Sequence, residues 1–127
     1  MPEARLDWRS ARLRKHADYQ RVYEASRRYS SHSMSYFFRK REDEREEAQP
    51  RVGLTTGRAL GGAVERNRIR RRMRAAVRLH VSELPGKVDV VLHPRRTVLE
   101  MEFTGLEREV ARIFASIGAA ARAGVKP

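Results

Sequence analysis

The chain has 127 residues, with 28 lysines and arginines against 16 acidic residues and a formal net charge of +12. Its length suits one domain with a small core, and the absence of cysteine excludes disulfides and thiolate zinc sites and fits a reducing cytoplasm. No apolar run approaches the roughly 20 residues of a membrane span. The charge predicts a nucleic-acid or anionic-membrane partner, and no membrane partner is expected because the most basic stretch, residues 58–81, lacks the Trp, Phe and Leu face that would insert.

The N-terminal part is predicted to hold an extension and one short helix. Residues 1–12 show no hydrophobic period and are expected to be mobile. A helix over residues 17–25 would carry three apolar or aromatic side chains on one face, at i, i+3 and i+4: Tyr19, Val22 and Tyr23. This spacing leaves open whether the two tyrosines belong to the core or to an exposed site.

A strand and a charged connection are predicted next. Residues 33–39 alternate as a strand, with Ser35 and Phe37 on one side and the larger apolar set on the other: Met34, Tyr36 and Phe38. Residues 39–51 read as a charged hairpin loop. Its acidic run, 42–47, lacks the spacing of a cation cage, so a solvated loop is expected there and no metal site.

A second strand over residues 51–56 is followed by a turn at Gly61-Gly62 and a helix over residues 63–82. At about 100° per residue this helix has one narrow stripe suited to burial: Ile69, Met73, Ala76, Val77 and His80. Its other sides are cationic. Nine arginines and one glutamate lie between residues 51 and 81.

This arginine-rich helix has two interpretations. A solvated helix usually mixes charges to form i,i+4 pairs, and this one does not, although a solvated basic helix stays the alternative. Arg66, Arg70 and Arg74 are spaced i, i+4, i+8 and form a ridge that can follow phosphates, while the amide of Asn67 can contact a base edge. The helix is therefore predicted to bind a polyanion, and nucleic acid is the expected one.

The last third is predicted to be near-neutral scaffold. A strand over residues 87–93 returns through the arginine helix and so pairs in parallel with strand 51–56. The last helix is expected to begin at a capping box, Thr104 to Glu107. Its helical spacing predicts a set of core residues: Leu106, Val110, Ile113, Phe114 and Ile117.

The segment VGLTTGRALGGAVERNRIRRRMR resembles the signature of the bacterial ribonuclease P protein subunit. The matching positions are Val52, Gly53, Leu54, Arg58, Gly61, Ala63, Val64, Arg66, Asn67, Arg68, Arg70, Arg71 and Arg74. The similarity extends over about residues 13–119. The sequence departs from the signature at Gly62, where a polar residue is usual. It also departs at His93, where the family commonly has an alanine followed by an arginine. Arg95 or Arg96 is expected to supply the charge of that missing arginine.

The elements and the resemblance together imply an α+β fold, a small α/β sandwich of order α-β-β-α-β-α with a possible extra short strand early. The resemblance implies a central, mostly antiparallel sheet with one parallel pair joined by a left-handed crossover, against the usual right-handed rule. Residues 13–119 are expected to be one RNA-binding domain, and residues 120–127 a frayed tail.

No catalytic group is expected in the protein itself. Its four histidines are scattered and its dense carboxylates lie in one loop, so neither a metal cluster nor an acid–base pair is predicted. The resemblance implies instead that a required RNA subunit carries the active site and holds, with the substrate, the magnesium ions. The protein would bind this ribonuclease P RNA and the 5′ leader of precursor tRNA and assist endonucleolytic removal of the leader in the cytoplasm.

The resemblance also implies two sets of binding residues. The catalytic RNA is expected to contact Arg58, Arg66, Asn67, Arg68, Arg70, Arg71 and Arg74. The leader is expected to lie in a cleft lined by Tyr19, Tyr23, Phe37, Arg27 and Arg28. One alternative is a structural RNA-binding protein of ribosomal type with no role in cleavage. A DNA-binding protein with the arginine helix in the major groove is a further one, but exposed aromatic residues favour RNA, and no DNA partner is expected.

Overall fold

The computed structural model describes residues 8–42 and 49–124. The helices are α1 (Trp8–Ala11), α2 (His16–Ala25), α3 (Ala63–His80) and α4 (Phe103–Arg122). The strands are β1 (Tyr29–Ser30), β2 (Met34–Lys40), β3 (Arg51–Leu54) and β4 (Val88–Pro94). Short 3₁₀ turns occupy Arg58–Leu60, Val81–Glu83 and Arg96–Leu99. The α+β class and the early extra strand are confirmed.

The four strands form one mixed sheet in the order β1-β2-β4-β3. β1–β2 and β2–β4 are antiparallel, and β3–β4 is the predicted parallel pair, connected through α3. The left-handed sense of that connection stays an expectation. Because β4 lies between β2 and β3, the predicted hairpin between those two strands is wrong. Residues 43–48 lie outside the described residues, and they include all of the acidic run 42–47 except residue 42.

The side chains of the strands alternate strictly between the two faces of the sheet. Met34 and Phe38 of β2 and Val52 of β3 belong to the main core, with the whole predicted stripe of α4 and the stripe of α3 as far as Val77. The opposite face carries Phe37 and Val91, which pack against α2 in a smaller cluster with Leu13, Val22, Tyr19 and Tyr23. The predicted alternation of β2 is confirmed.

Packing begins before the predicted domain boundary at residue 13. Ala11 is fully buried, Arg12 forms an isolated bridge with Val52, and Leu13 N donates to Val52 O at 2.9 Å. This bridge is parallel to β3, so Ala11 and Arg12, which were expected in the mobile extension, pack on the edge strand of the sheet. At the other end α4 runs past residue 119 to Arg122, with Ala121 buried. Residues 1–7 and 125–127 lie outside the described residues.

Two helix ends differ from the sequence-based expectation. α3 ends at His80, and the last two residues of the predicted helix, Val81 and Ser82, belong to the 3₁₀ turn that follows. α4 begins at Phe103 after Glu102, whose side chain makes no capping bond. The capping box at Thr104 is therefore wrong, because Thr104 already lies inside the first turn. No helix of the described ranges is both long and apolar enough to cross a membrane.

A buried ionic cluster anchors the end of the sheet where β2 stops and β3 begins. The Asp89 carboxylate on β4 is fully buried and accepts from Arg41 Nη1 at 2.5 Å and from Arg51 Nε at 2.8 Å. Arg51 also reaches Asp18 of α2, with 3.4 Å between Nη1 and Oδ2. Arg41 was expected in a solvated loop; it is buried because a buried carboxylate is stable only with such partners.

Candidate nucleic-acid interface

The arginines of α3 are not neutralised by the rest of the described structure. None of the ion pairs found in residues 8–42 and 49–124 joins an α3 arginine to a carboxylate. Arg70 instead donates to Asn67 Oδ1 at 2.7 Å and to Thr56 Oγ1 at 2.8 Å. Neutral acceptors of this kind orient a guanidinium without cancelling its charge.

Several of these cations converge on Arg74. Burial lowers the pKa of the Arg74 guanidinium, and the charges of Arg12, Arg70 and Arg78 lower it further. Like charges at this spacing repel one another, so the free protein holds electrostatic energy that an anion would relieve. This convergence, found in the folded chain, favours a polyanionic ligand over a solvated helix.

An aromatic cluster lies on the face of the sheet opposite the main core. The rings of Tyr23 and Phe37 meet edge to face, with centroids 5.0 Å apart. His93 of β4 lies beside both, with its centroid 5.1 Å from that of Phe37, and its Nε2 is 2.8 Å from Tyr23 Oη. Burial, with a smaller effect of Arg28, lowers the pKa of His93, so the neutral imidazole is favoured in this hydrogen bond.

Tyr23 of this cluster lines an open cleft of about 380 Å³, together with Arg14, His16, Tyr19, Gln20 and Thr55. Phe37, which was expected in the cleft, is buried and is not among the residues that line it. Tyr19 also lines a narrower recess of about 50 Å³ with Arg12, Leu54, Arg70 and Arg74. Tyr19 Oη donates to Leu13 O at 3.2 Å, which fixes the ring between the two cavities. The predicted cleft and the predicted arginine helix are therefore neighbours, and they meet at Tyr19.

The close approach of β3 to this ring depends on Gly53. A Cβ at that position would lie 2.5 Å from Tyr19 Oη and 2.6 Å from Cζ, which is too close for any side chain. Burial raises the pKa of Tyr19 and of Tyr23, so both hydroxyl groups stay protonated at neutral pH. The two tyrosines are half-buried, with the remainder of each ring available at the cleft.

The other predicted contact residues take different positions. The Arg28 guanidinium lies 5.8 Å from the centroid of Phe37, beside the aromatic cluster. Arg27 lies 4.9 Å from the Tyr29 centroid, on the β1 edge. Arg58 is exposed in the turn before α3, and three more of the set are exposed on α3 itself: Asn67, Arg68 and Arg71.

His93 was not expected to contact Tyr23 and Phe37. The two arginines that were expected to supply the positive charge missing at His93, Arg95 and Arg96, are engaged elsewhere. Arg96 pairs with Glu65 and donates to Leu60 O, and Arg95 donates to the carbonyls of Ser31 and His32. Neither guanidinium reaches the aromatic cluster. The sequence signal that could have found His93 is its strand position, two residues from Val91 and on the same face.

Comparison with known proteins gives the chain its family. A family model described as Ribonuclease P matches residues 8–118. The chain belongs to the ribonuclease P protein family. It is 32% identical over 114 residues to the ribonuclease P protein component of Syntrophomonas wolfei, covering 90% of this chain and 92% of that protein. It is 38% identical over 113 residues to that of Oleidesulfovibrio alaskensis, covering 80% and 87%.

Solved structures of ribonuclease P proteins share the fold. That of Staphylococcus aureus superposes with a TM-score of 0.68 at 23% identity, over 84% of this chain and 94% of that one. That of Thermotoga maritima gives 0.68 at 22%, over 81% and 94%. The chain thus has the function of its family: it is the accessory protein subunit of an RNA-based endoribonuclease of tRNA 5′ maturation. The ribosomal-type alternative has no support.

Proposed function

We propose that this chain binds the catalytic RNA of ribonuclease P through α3 and holds the 5′ leader of precursor tRNA in the aromatic cleft. The observation that carries the proposal is the junction at Tyr19, where the aromatic cleft meets the unpaired cations Arg70 and Arg74. A single strand leaving a folded RNA bound to α3 would enter the cleft directly.

The cleft has the chemistry that a single-stranded leader requires. Aromatic faces stack unpaired bases without demanding a sequence, at roughly 1–3 kcal/mol per base. Tyr19 and Tyr23 present such faces, Phe37 and His93 support them from the sheet, and Arg14 in the cleft and Arg28 beside Phe37 supply positive charge. This arrangement supports leader binding at Tyr19 and Tyr23, with Phe37 as their buried support, Arg28 beside it, and Arg27 more peripheral on the β1 edge.

The motif residues Arg58, Arg66, Asn67, Arg68, Arg70, Arg71 and Arg74 would bind the catalytic RNA beside the site of cleavage. Their charges reduce repulsion between the phosphates of enzyme RNA and substrate, so less magnesium is needed for assembly and cleavage. Magnesium, held mainly by the RNA subunit and the substrate, supplies the cleavage chemistry. In the described residues no group of three or more acidic or histidine side chains is placed to hold a metal ion, and we assign none of them to this ion. We place the particle in the cytoplasm, with precursor tRNA.

The direct test is to add the purified protein to a bacterial ribonuclease P RNA at a magnesium concentration too low for the RNA alone. We expect removal of the 5′ leader to be restored. In the same assay, Tyr19→Ala with Tyr23→Ala should weaken binding of precursor tRNA more than that of mature tRNA, with assembly unchanged. Failure of the wild-type protein to restore cleavage would refute the proposal; unfolding of the double variant would assign the tyrosines to the core.

A further inference from the structure

A second open recess lies on the flank of α3 that faces away from the aromatic cleft. Its volume is about 320 Å³, and it is lined by Arg68, Arg71, Arg72, Ala75 and Phe103. At about 100° per residue, Arg68 and Arg72 project roughly opposite to Arg70. The recess is therefore separate from the cleft, and a strand in the cleft would not fill it.

The cations of this recess are available to a ligand. Arg68 and Arg71 are exposed, and no ion pair involves them among the residues that the structure describes. Arg72 is held in place, because its Nη2 donates to Met101 O, while its buried Nε has no hydrogen-bond partner in the described structure. One wall is thus fixed and two long cationic side chains are free to close over a ligand.

Phe103 gives the recess an aromatic wall. It is the first residue of α4, packs against the main core on one side and is only partly buried. A half-exposed ring beside two free guanidiniums suits a flat apolar group attached to an anion. A nucleotide has both parts: its base stacks on an aromatic face, and its phosphate pairs with arginine.

We propose that Phe103, Arg68 and Arg71 bind one unpaired nucleotide of the ribonuclease P RNA; this inference rests on the function proposed above. Bases inside an RNA helix are stacked and not available to a side chain, so the nucleotide must be a bulged or loop nucleotide. The catalytic RNA is the source because the leader occupies the opposite flank of α3. The exposed carboxylates Glu100 and Glu102, which both precede Phe103 in sequence, favour a single nucleotide over a strand that continues past the start of α4.

The absence of cysteine allows a site-specific test in the full chain. Ala75→Cys places one thiol in the recess at an exposed position, and Ser116→Cys places one on exposed α4 as the matched control. We expect saturating ribonuclease P RNA to slow alkylation of the Ala75→Cys variant by iodoacetamide about tenfold or more and to leave the control unchanged. Precursor tRNA alone should protect neither. Equal alkylation rates with and without bound RNA, or protection by precursor tRNA alone, would overturn the proposal.

A substitution pair tests the stacking itself. Phe103→Leu keeps apolar packing and removes the ring, and it should weaken binding of the ribonuclease P RNA roughly 5- to 150-fold without changing the salt dependence. Phe103→Tyr should bind as the wild type does. Arg68→Gln should lower the salt slope by about 0.7, the value of one phosphate contact. Thermal melting of each variant identifies a loss of fold.

The outcomes separate this inference from the function on which it rests. If wild-type protein assembles and restores cleavage but Phe103→Leu binds equally well, only the nucleotide site fails. A folded Phe103→Leu variant that loses affinity together with Phe103→Tyr would also count against stacking, since the ring is present in the second. If the wild-type protein does not bind the RNA at all, the proposed function fails first.

Discussion

At the scale of single residues, Tyr19 connects the two parts of the interface. Its ring lines both the aromatic cleft and the narrow recess beside Arg70 and Arg74, and its hydroxyl is fixed on Leu13 O. Helical spacing predicted that Tyr19 and Tyr23 share a face, yet it could not decide between core and site. In the structure each ring packs against the smaller cluster and keeps part of its surface exposed.

Gly53→Ala should weaken leader binding indirectly, through the position of the Tyr19 ring. The added methyl group would lie 2.5 Å from Tyr19 Oη, so the ring must move and its bond to Leu13 must break. We expect affinity for precursor tRNA to fall several-fold while affinity for mature tRNA changes little, as measured by equilibrium binding to the assembled holoenzyme. Gly57→Ala is the matched control, because a Cβ there meets nothing within 4 Å. Equal effects of the two substitutions would contradict this role of Gly53.

His80 should make stability depend on pH. Burial lowers its pKa, but hydrogen bonds to Glu83 and Glu107 outweigh burial, so the pKa is raised overall. A raised folded pKa means that the contribution is complete below the unfolded value of about 6.5 and is lost as pH rises through the folded value. Urea unfolding should therefore show that His80→Gln costs more free energy at pH 6 than at pH 9.

The matched control is His32→Gln, at an exposed histidine with no carboxylate partner in the described ranges. This variant measures the effect of removing an imidazole that has no carboxylate partner. A cost of His80→Gln that does not depend on pH would show that the bonds to Glu83 and Glu107 do not hold a proton in the folded state.

At the scale of elements, β4 organises the molecule. It pairs with β2 on one side and β3 on the other, and its alternate residues supply the main core on one face. On the other face they are Asp89 of the ionic cluster, Val91 of the smaller core and His93 of the aromatic cluster. One strand thereby sets the position of both the buried charges and the aromatic cluster.

Asp89→Asn should test this organisation. Breaking a buried ion pair by removing one partner leaves charge uncompensated and typically costs about 3–5 kcal/mol. Because Arg51 is partly exposed and also reaches Asp18, we expect a value near the lower end, about 3 kcal/mol, in urea unfolding. Glu24→Gln is the control for loss of an exposed carboxylate, because no ion pair among the described residues involves Glu24. A cost below about 1 kcal/mol would mean that solvent already screens the cluster.

Local patterns predicted the parts of this fold that depend on one element at a time. The spacing of Leu106, Val110 and Ile113 predicted the buried face of α4, and alternation placed Phe37 opposite Phe38. The motif located α3 to within two residues. Helix ends were less accurate, because an α4 that begins without a side-chain cap leaves no signal in sequence.

The remaining features depend on the register between distant strands. Tyr23 and His93 are 70 residues apart in sequence, and Ser35 faces His93 only because β2 and β4 are aligned as they are. The pairing of Arg41 with Asp89 arises in the same way. Phe103 and Arg68 line one recess because α3 and α4 pack against each other. No pattern within one segment could have predicted these contacts.

At the scale of the whole molecule, the charges that stabilise the fold are different from the cations that α3 exposes. The buried carboxylates are paired: Asp89 holds Arg41 and Arg51, and Glu109 accepts from Ser33 N at 2.8 Å and Oγ at 2.7 Å. The arginines of α3 have no such partners in the described ranges. The fold thus pairs its buried acidic groups internally and leaves α3 positively charged on both flanks, one beside the aromatic cleft and one beside Phe103.

The central claim is that these α3 arginines contact RNA phosphates, and the salt dependence of RNA binding measures this most directly. Binding of ribonuclease P RNA should be measured over a range of salt concentrations for wild-type protein and for the triple variant Arg66→Gln, Arg70→Gln and Arg74→Gln. Each lost phosphate contact lowers the slope by about 0.7, so the account predicts a fall of about 2. A folded triple variant with the wild-type slope would contradict it.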